Sequence, residues 1–183
     1  GGNPVSLETL KDRIISHKEA ASDQWVNKPR DRDIPNIRKV FTDRGPLFSE
    51  RAHLDYRGRD RYIPAVLGVH RDALWTTPPS ETVIDLEGSG FKAFGSAVGV
   101  THKVFASKIP RKDMDFIFEL HVDGRIKAST GVMPTNAPPR YLFVDDLSGA
   151  KELKLITRFA VPQDPRSYHN GFKLNWADAV FYK

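Results

Sequence analysis

The stretch DFIFELHVDGRIKAST, residues 115–130, decides the fold class. Large apolar residues recur at every second position in its first half, and successive side chains of a β-strand point to opposite faces. Asp123-Gly124 comes next, and this dipeptide favours a two-residue hairpin turn because both turn positions need positive φ. The pattern predicts an antiparallel hairpin whose first strand has one face made of Phe116, Phe118, Leu120 and Val122, and an opposite face made of Ile117, Glu119 and His121.

Three further segments alternate in the same way, namely TVIDL, ELKLITRFAV and the C-terminal LNWADAVFY. Short strands separated by turns, with no helical pattern between them, predict an antiparallel β-sandwich. No helix longer than a single turn is expected after residue 60. In each of these strands, alternate residues are expected to lie on one face. These residues are Thr82, Ile84 and Leu86 in the first strand and Leu153, Leu155, Thr157, Phe159 and Val161 in the second. In the last strand, Trp176, Asp178, Val180 and Tyr182 form one face, and Asn175, Ala177, Ala179 and Phe181 form the other.

The N-terminal segment has a different period. Apolar residues recur there at spacings of three, four or seven, which predicts one face of a helix with Ser6 as its N-cap. Residues 27–48 are rich in proline and charge, and they are interpreted as an extended connector with one short strand from Ile37 to Phe41. We therefore expect residues 1–48 to be a helix and connector, residues 49–183 to be the sandwich, and the covered helix face to contain Leu7, Leu10, Ile14, Ala21 and Trp25.

The composition excludes several classes of protein. The chain of 183 residues is the length of one domain, and without cysteine it has neither disulfides nor thiolate chemistry. Basic residues give a net charge of +5, but they alternate with aspartate along the sequence, which disfavours a nucleic-acid-binding surface. No apolar run approaches the ~20 residues of a membrane-spanning helix. The chain begins with Gly1-Gly2 rather than Met, which is typical of a trimmed chain.

Motifs for catalysis are absent from the sequence. GSGFKAFG, residues 88–95, resembles a phosphate-binding glycine loop, but it joins two predicted strands and no helix follows it. The six histidines show no spacing typical of metal ligands, and the chain has neither G-x-S-x-G nor H-E-x-x-H. We therefore predict that this chain is not an enzyme and that it has no cofactor.

An ordered set of motifs supplies a family resemblance. VLGVHRDA, TVIDL, FGSAVGV, FELHVDGRIKASTGVM, VDDLSGAKELKLI and NWADAVFY occur in that order. Over residues 61–183 the chain resembles the NPCBM family of carbohydrate-binding modules. The resemblance implies a jelly-roll β-sandwich of the galactose-binding-like type that binds galactose-containing glycans. It also implies a bacterial protein that is secreted, periplasmic or on the cell surface, with a neighbouring glycoside hydrolase domain.

Two candidate segments, HRDALWTTPP at residues 70–79 and QDPRSYHNG at residues 163–171, have the composition of a sugar site. Aromatic rings stack on sugars, and planar polar side chains hydrogen-bond to hydroxyl groups. We expect these segments to lie at one end of the sandwich, with Trp75 or Tyr168 as platform. A structural role for His70 is the alternative, and Trp176 is expected in the core, with Asp178 in a structural hydrogen bond. A structural Ca²⁺ ion is compatible with this fold. The candidate ligand-binding residues are His70, Arg71, Asp72, Trp75, Arg166, Tyr168, His169 and Asn170.

One difference from the family supports a second hypothesis. Sugar-binding members usually carry an aspartate-histidine pair just before the closing tryptophan, where this chain has Phe172-Lys173. The alternative is a structural or protein-interaction β-sandwich that has lost sugar binding.

Overall fold

The structure is a computed structural model that describes residues 4–19, 38–39, 48–49, 52–53, 69–70, 73–100, 114–135, 137–161 and 174–183. For residues 38–39, 48–49, 52–53, 69–70, 73 and 75, only the backbone is described. The strands in chain order are β1 (Val5–Ser6), β2 (Ile14–Glu19), β3 (Arg38–Lys39), β4 (Phe48–Ser49), β5 (Ala52–His53), β6 (Val69–His70), β7 (Ala73–Thr76), β8 (Ser80–Asp85), β9 (Ala93–Val100), β10 (Phe116–Val122), β11 (Arg125–Ser129), β12 (Arg140–Val144), β13 (Glu152–Phe159) and β14 (Leu174–Tyr182).

Two six-stranded sheets form a sandwich. Sheet A has the order β12-β9-β14-β7-β4, and β1 also pairs with β14. Sheet B has the order β11-β10-β13-β8-β2-β3, and β5 and β6 form a separate pair. All these pairings are antiparallel. The predicted antiparallel sandwich is confirmed, and the described residues after 60 contain no helix longer than a turn.

Sheet B contains the predicted hairpin and buries the predicted inward faces, but alternation is complete only in β13, since Ile117 and Glu119 on the opposite face of β10 are buried as well. Val122 pairs with Arg125, and Asp123 and Gly124 have φ values of 48° and 82°, as the predicted turn requires. The expected inward residues of β8, β10 and β13 are buried. The prediction for Val161 is wrong, since this residue lies beyond the end of β13 and is 61% exposed.

The predicted faces of the last strand are wrong beyond Ala177, because a β-bulge interrupts it. Ala177 pairs with Ala97 and Val180 with Gly95, so β14 uses one residue more than β9 between these two pairs. Asp178 lies in this bulge with a φ of 48°, and its side chain is exposed. The extra residue exchanges the two faces, so the buried Trp176 shares the core with Ala179 and Phe181 rather than with Val180 and Tyr182.

The N-terminal helix is shorter than predicted. A 3-10 helix spans Leu7–Arg13 and is kinked at Leu10, and the predicted Ser6 N-cap is confirmed because its hydroxyl accepts from Glu8 N at 3.2 Å. A helix continuing past Arg13 was wrong, since the next residues form β2 and pair with β8. Ala21 and Trp25 lie outside the described residues. The division of the chain between residues 48 and 49 stays a prediction.

The core between the sheets is rich in aromatic rings. Phe116, Phe118 and Trp176 are fully buried, and so are Phe94 and Phe181 at the end of the sandwich near the C-terminus.

The predicted short strand near Ile37 is present as β3, which pairs with β2. In the part of the chain that the structure describes, no helix is long and apolar enough to cross a membrane.

Candidate functional site

Most side chains predicted to bind a ligand fall outside the described residues. Residues 71–72 and 162–173 are not described, which includes Arg71, Asp72 and the whole second candidate segment with Arg166, Tyr168, His169 and Asn170. His70 and Trp75 are described by their backbone alone, in β6 and β7. The composition of the predicted ligand site therefore stays a prediction.

Strand register places Trp75, from the first candidate segment, beside the start of β14. In the antiparallel pair of β7 and β14, Trp75 lies opposite Asn175 and Thr76 lies opposite Leu174. Residues 162–173 immediately precede Leu174, so they join the sandwich beside the end of β7 that carries Trp75. Ala73, which follows Arg71 and Asp72, lies three residues further along β14, opposite Ala177.

A buried network of hydroxyl groups supports this end of β7. The Thr76 hydroxyl donates to the carbonyl of Leu174 at 2.8 Å and lies 3.3 Å from the Thr157 hydroxyl, which also hydrogen-bonds to Ser80. All three hydroxyl-bearing residues are fully buried. Because buried polar groups are costly unless paired, these bonds fix the start of β14 against both sheets.

Strand β2 contributes two further polar contacts at this end. The Glu19 carboxylate accepts the backbone N–H of Thr77 at 2.8 Å, just before the cis Pro78–Pro79 peptide bond. The His17 ring hydrogen-bonds to the Thr82 hydroxyl at 2.8 Å. Strand β2, which the sequence predicts as part of a helix, thus holds the segment between β7 and β8 through Glu19 and contacts β8 itself through His17.

Trp176 is part of the core and is unavailable as a sugar platform. It is fully buried, and its ring meets Phe118 edge to face at a centroid distance of 5.0 Å. Its indole N–H has no hydrogen-bond partner among the described residues. Asp178, two residues later, is exposed because of the bulge.

The opposite end of the sandwich carries a cleft that sequence analysis did not single out. Its volume is about 410 Å³, and it lies between the β8–β9 loop, residues 86–92, and residues 147–151 before β13. Gly88, Gly90 and Gly149 adopt positive φ in these turns. The β8–β9 loop joins two strands, as predicted, and no helix follows it to complete a phosphate site.

A carboxyl group with a lowered pKa, that of Glu119, belongs to an ion pair on the outer face of sheet B. Arg158 donates from Nε and Nη2 to the two Glu119 carboxylate oxygens, each at 3.2 Å, and His121 Nε2 lies 3.3 Å from Oε1. Burial raises the pKa of Glu119, but the hydrogen bonds from Arg158 and His121 outweigh it, so the pKa lies below the ordinary value. This geometry ties β10 to β13.

Metal ligands do not converge in the described part of the chain. No group of three or more His, Cys, Asp or Glu residues there could hold an ion. The Ca²⁺ ion that the fold allows stays a prediction.

The antiparallel sandwich and the order of the motifs match a known family. The NPCBM/NEW2 domain family matches residues 37–182. The chain belongs to the NPCBM/NEW2 family. It is therefore a non-catalytic carbohydrate-binding module, and catalytic domains belong to other parts of the larger proteins that contain such modules.

Solved structures agree with this NPCBM assignment. The CBM51-2 and INT domains of ZmpB from Clostridium perfringens match with 33% identity and a TM-score of 0.50, over 62% of this chain and 22% of that one. The CBM51 module of Clostridium perfringens GH95, solved with methyl-galactose, matches with a TM-score of 0.61 and 17% identity, over 98% of this chain and all of that one. At this identity the second match shows the fold alone. No curated protein sequence matches the chain.

A third match concerns a module within a hydrolase. The tandem CBM51 modules of the family 98 glycoside hydrolase from Streptococcus pneumoniae match with a TM-score of 0.51 and 19% identity, over 75% of this chain and 45% of that one. This NPCBM chain thus spans less than half of the length of the tandem CBM51 modules and about a fifth of the length of the ZmpB fragment.

Proposed function

We propose that this NPCBM module binds galactose-containing glycans. The observation that carries the proposal is the family match over residues 37–182, which spans both sheets and both candidate segments. The GH95 module with the same fold was solved with methyl-galactose, which makes galactosides the first ligands to test.

The proposed site is the end of the sandwich where residues 162–173 enter β14. Trp75 or Tyr168 supplies the stacking ring, and His169 or Asn170 supplies hydrogen bonds to sugar hydroxyls. Arg71 and Asp72 precede Ala73 at the other end of β7, so they would extend the site along that strand. The proposal is supported by the register that sets Trp75 beside Asn175 and by the buried network around Thr76, since a rigid base lowers the entropy cost of binding.

The proposal extends to the parent protein. We infer a secreted, periplasmic or cell-surface protein in which this module lies beside a glycoside hydrolase domain. Support comes from the family 98 glycoside hydrolase of Streptococcus pneumoniae, whose tandem CBM51 modules match this chain in fold.

A second function is favoured by one observation. Phe172-Lys173 occupies the place where sugar-binding members usually have an aspartate-histidine pair. This difference supports a sandwich that has lost sugar binding and has become a structural or protein-interaction domain.

A glycan array with galactose- and fucose-terminated ligands separates the two functions, followed by calorimetric titration of the best galactoside. We expect binding by the unmodified chain and a loss of about tenfold or more for Trp75→Ala or Tyr168→Ala, because each removes a stacking surface. Absence of glycan binding at millimolar concentration would favour the structural function.

Ile126→Ala is the matched control for these substitutions. Ile126 is 58% exposed on β11, an edge strand of sheet B, so its truncation removes exposed apolar surface away from the start of β14. If Trp75→Ala and Tyr168→Ala bind as tightly as Ile126→Ala does, the site assignment is wrong even where the glycan-binding function holds.

A further inference from the structure

The outer face of sheet A carries exposed aromatic rings where most proteins place polar groups. Tyr141 and Phe143 alternate with the buried Leu142 and Val144 along β12, and they are 56% and 47% exposed. Their rings lie nearly parallel, with an interplanar angle of 20° and centroids 6.3 Å apart. Tyr182 on β14 stands against Phe143 at 62° and 6.2 Å. We call these three residues, Tyr141, Phe143 and Tyr182, the aromatic platform. It consists of two nearly parallel rings bordered on one side by a third, tilted ring.

The platform rests directly on the backbone of β9. Phe143 lies opposite Gly95 in the strand register, and Val180 lies opposite Gly95 on the other side. A Cβ atom at position 95 would overlap the Tyr141 hydroxyl and lie 2.7 Å from Tyr141 Cζ and 3.0 Å from Phe143 Cδ2. Glycine is thus required for both rings to lie flat across the sheet, and this contact restrains them before any ligand arrives.

Polar groups line one side of the same surface. Tyr182 and the charge of Asp178 both act on the Tyr141 hydroxyl and disfavour its ionised form. Partial burial raises the pKa of Tyr141 to about 12, with further contributions from Tyr182 and Asp178, so Tyr141 keeps its proton at neutral pH. The bulge turns Asp178 outward, which brings an exposed carboxylate beside the rings.

We propose that the aromatic platform is a second carbohydrate-binding surface, separate from the end of the sandwich where β14 begins, and that it takes one or two pyranose rings of a glycan. The apolar C–H face of a pyranose stacks on Tyr141 and Phe143. Its hydroxyl groups donate to the Asp178 carboxylate and exchange hydrogen bonds with the tyrosine hydroxyls.

The chemistry and size of the surface favour a sugar over a protein partner. A stable protein interface buries about 800 Å² on each side, whereas three neighbouring rings supply a much smaller contact. The tyrosine hydroxyls and the Asp178 carboxylate lie beside the apolar rings. This arrangement suits a ligand with apolar faces and polar edges, such as a pyranose. The rings are already held by Gly95 and by each other, so little side-chain entropy is lost on binding.

Amide chemical shifts during titration with methyl β-galactoside, and separately with methyl β-glucoside, test this surface. We expect shifts at Gly95, Phe143 and Val180 that saturate in the millimolar range. In Tyr141→Ala/Phe143→Ala these shifts should need about tenfold more sugar or disappear, while Ile126→Ala should keep them. Tyr141→Phe keeps the ring and removes the hydroxyl group, so it should weaken binding less than the double variant does.

Other outcomes overturn the inference and are distinct from one another. Shifts confined to Thr76, Leu174 and Asn175 would leave the proposed loop site intact and show that the platform binds no sugar. Shifts at the platform that depend on protein concentration without sugar would identify it as a surface between copies of this chain. Absence of shifts with either sugar at any amide would overturn both this inference and the proposed galactoside site.

Discussion

Phe118 and Trp176 meet edge to face across the two sheets, with ring centroids 5.0 Å apart and an interplanar angle of 83°. Phe118 belongs to β10 of sheet B and Trp176 to β14 of sheet A, so this pair joins the layers. Both side chains are completely buried. The tryptophan of the closing family motif therefore acts on stability, through packing between the sheets.

Trp176→Ala should destabilise the chain by about 3–5 kcal/mol, because it removes a buried aromatic ring and leaves a cavity. Trp176→Phe should cost less, because a ring remains to pack on Phe118 and the unpaired indole N–H is removed. Urea unfolding followed by circular dichroism measures both changes. Equal losses for the two variants would contradict a role through ring packing.

Asp178 holds a left-handed backbone conformation at the bulge of β14. Asp178→Val should destabilise the chain by about 1–2 kcal/mol, because a β-branched residue does not tolerate this conformation. Asp178→Asn and Asp178→Gly, which tolerate it, should stay within about 0.5 kcal/mol of the unmodified chain. Thermal unfolding distinguishes these outcomes, and a harmless Asp178→Val would show that the bulge is not held in this conformation.

Glu119 should make the stability of the chain depend on acid pH. Its pKa in the folded chain is lowered, so the folded state favours the ionised carboxylate more than the unfolded state does. That stabilisation is fully present above the ordinary pKa of 4.5 and is lost as the pH falls through the lowered value. Melting temperatures between pH 7 and acid pH should therefore fall less steeply for Glu119→Gln.

Glu119→Gln should also melt at a lower temperature at neutral pH, because Arg158 loses its charged partner. Glu87→Gln is the control for the loss of one negative charge, since Glu87 is exposed on the β8–β9 loop. A parallel acid decline in Glu119→Gln and the unmodified chain would contradict the assignment.

The parts of the fold that could be predicted are those where local pattern and tertiary contacts agree. β13 alternates without interruption over the core, the predicted inward face of β10 is buried, and Asp123-Gly124 specifies its own turn. The faces of β14 could not be predicted past Ala177, because aspartate is compatible with a bulge but does not specify one. The spacing of Leu7, Leu10 and Ile14 fits a helix, but the helix ends at Arg13, because the residues that follow form β2 and pair with β8.

The candidate site was predictable in a different sense. The order of the motifs was sufficient to identify the family, whereas the side chains of the loops that would contact a sugar have no periodic pattern. The aromatic platform has a signal in the sequence, since RYLFV alternates two exposed aromatic residues with Leu142 and Val144. Its significance depends on Gly95 and Tyr182, which come from two other strands and could not be placed beside it without the register.

Two apolar residues of the N-terminal segment, Leu7 and Ile15, differ in burial. Leu7 is 1% exposed and packs in the core, whereas Ile15 is 58% exposed on β2. Leu7→Ala should therefore destabilise the chain by about 2–5 kcal/mol, and Ile15→Ala should stay within about 0.5 kcal/mol. Deletion of residues 1–19 should have a larger effect than either, because it also exposes the edge of β8. Thermal and urea unfolding measure all three, and a deletion variant with an unchanged melting temperature would show that the segment does not pack on the sandwich.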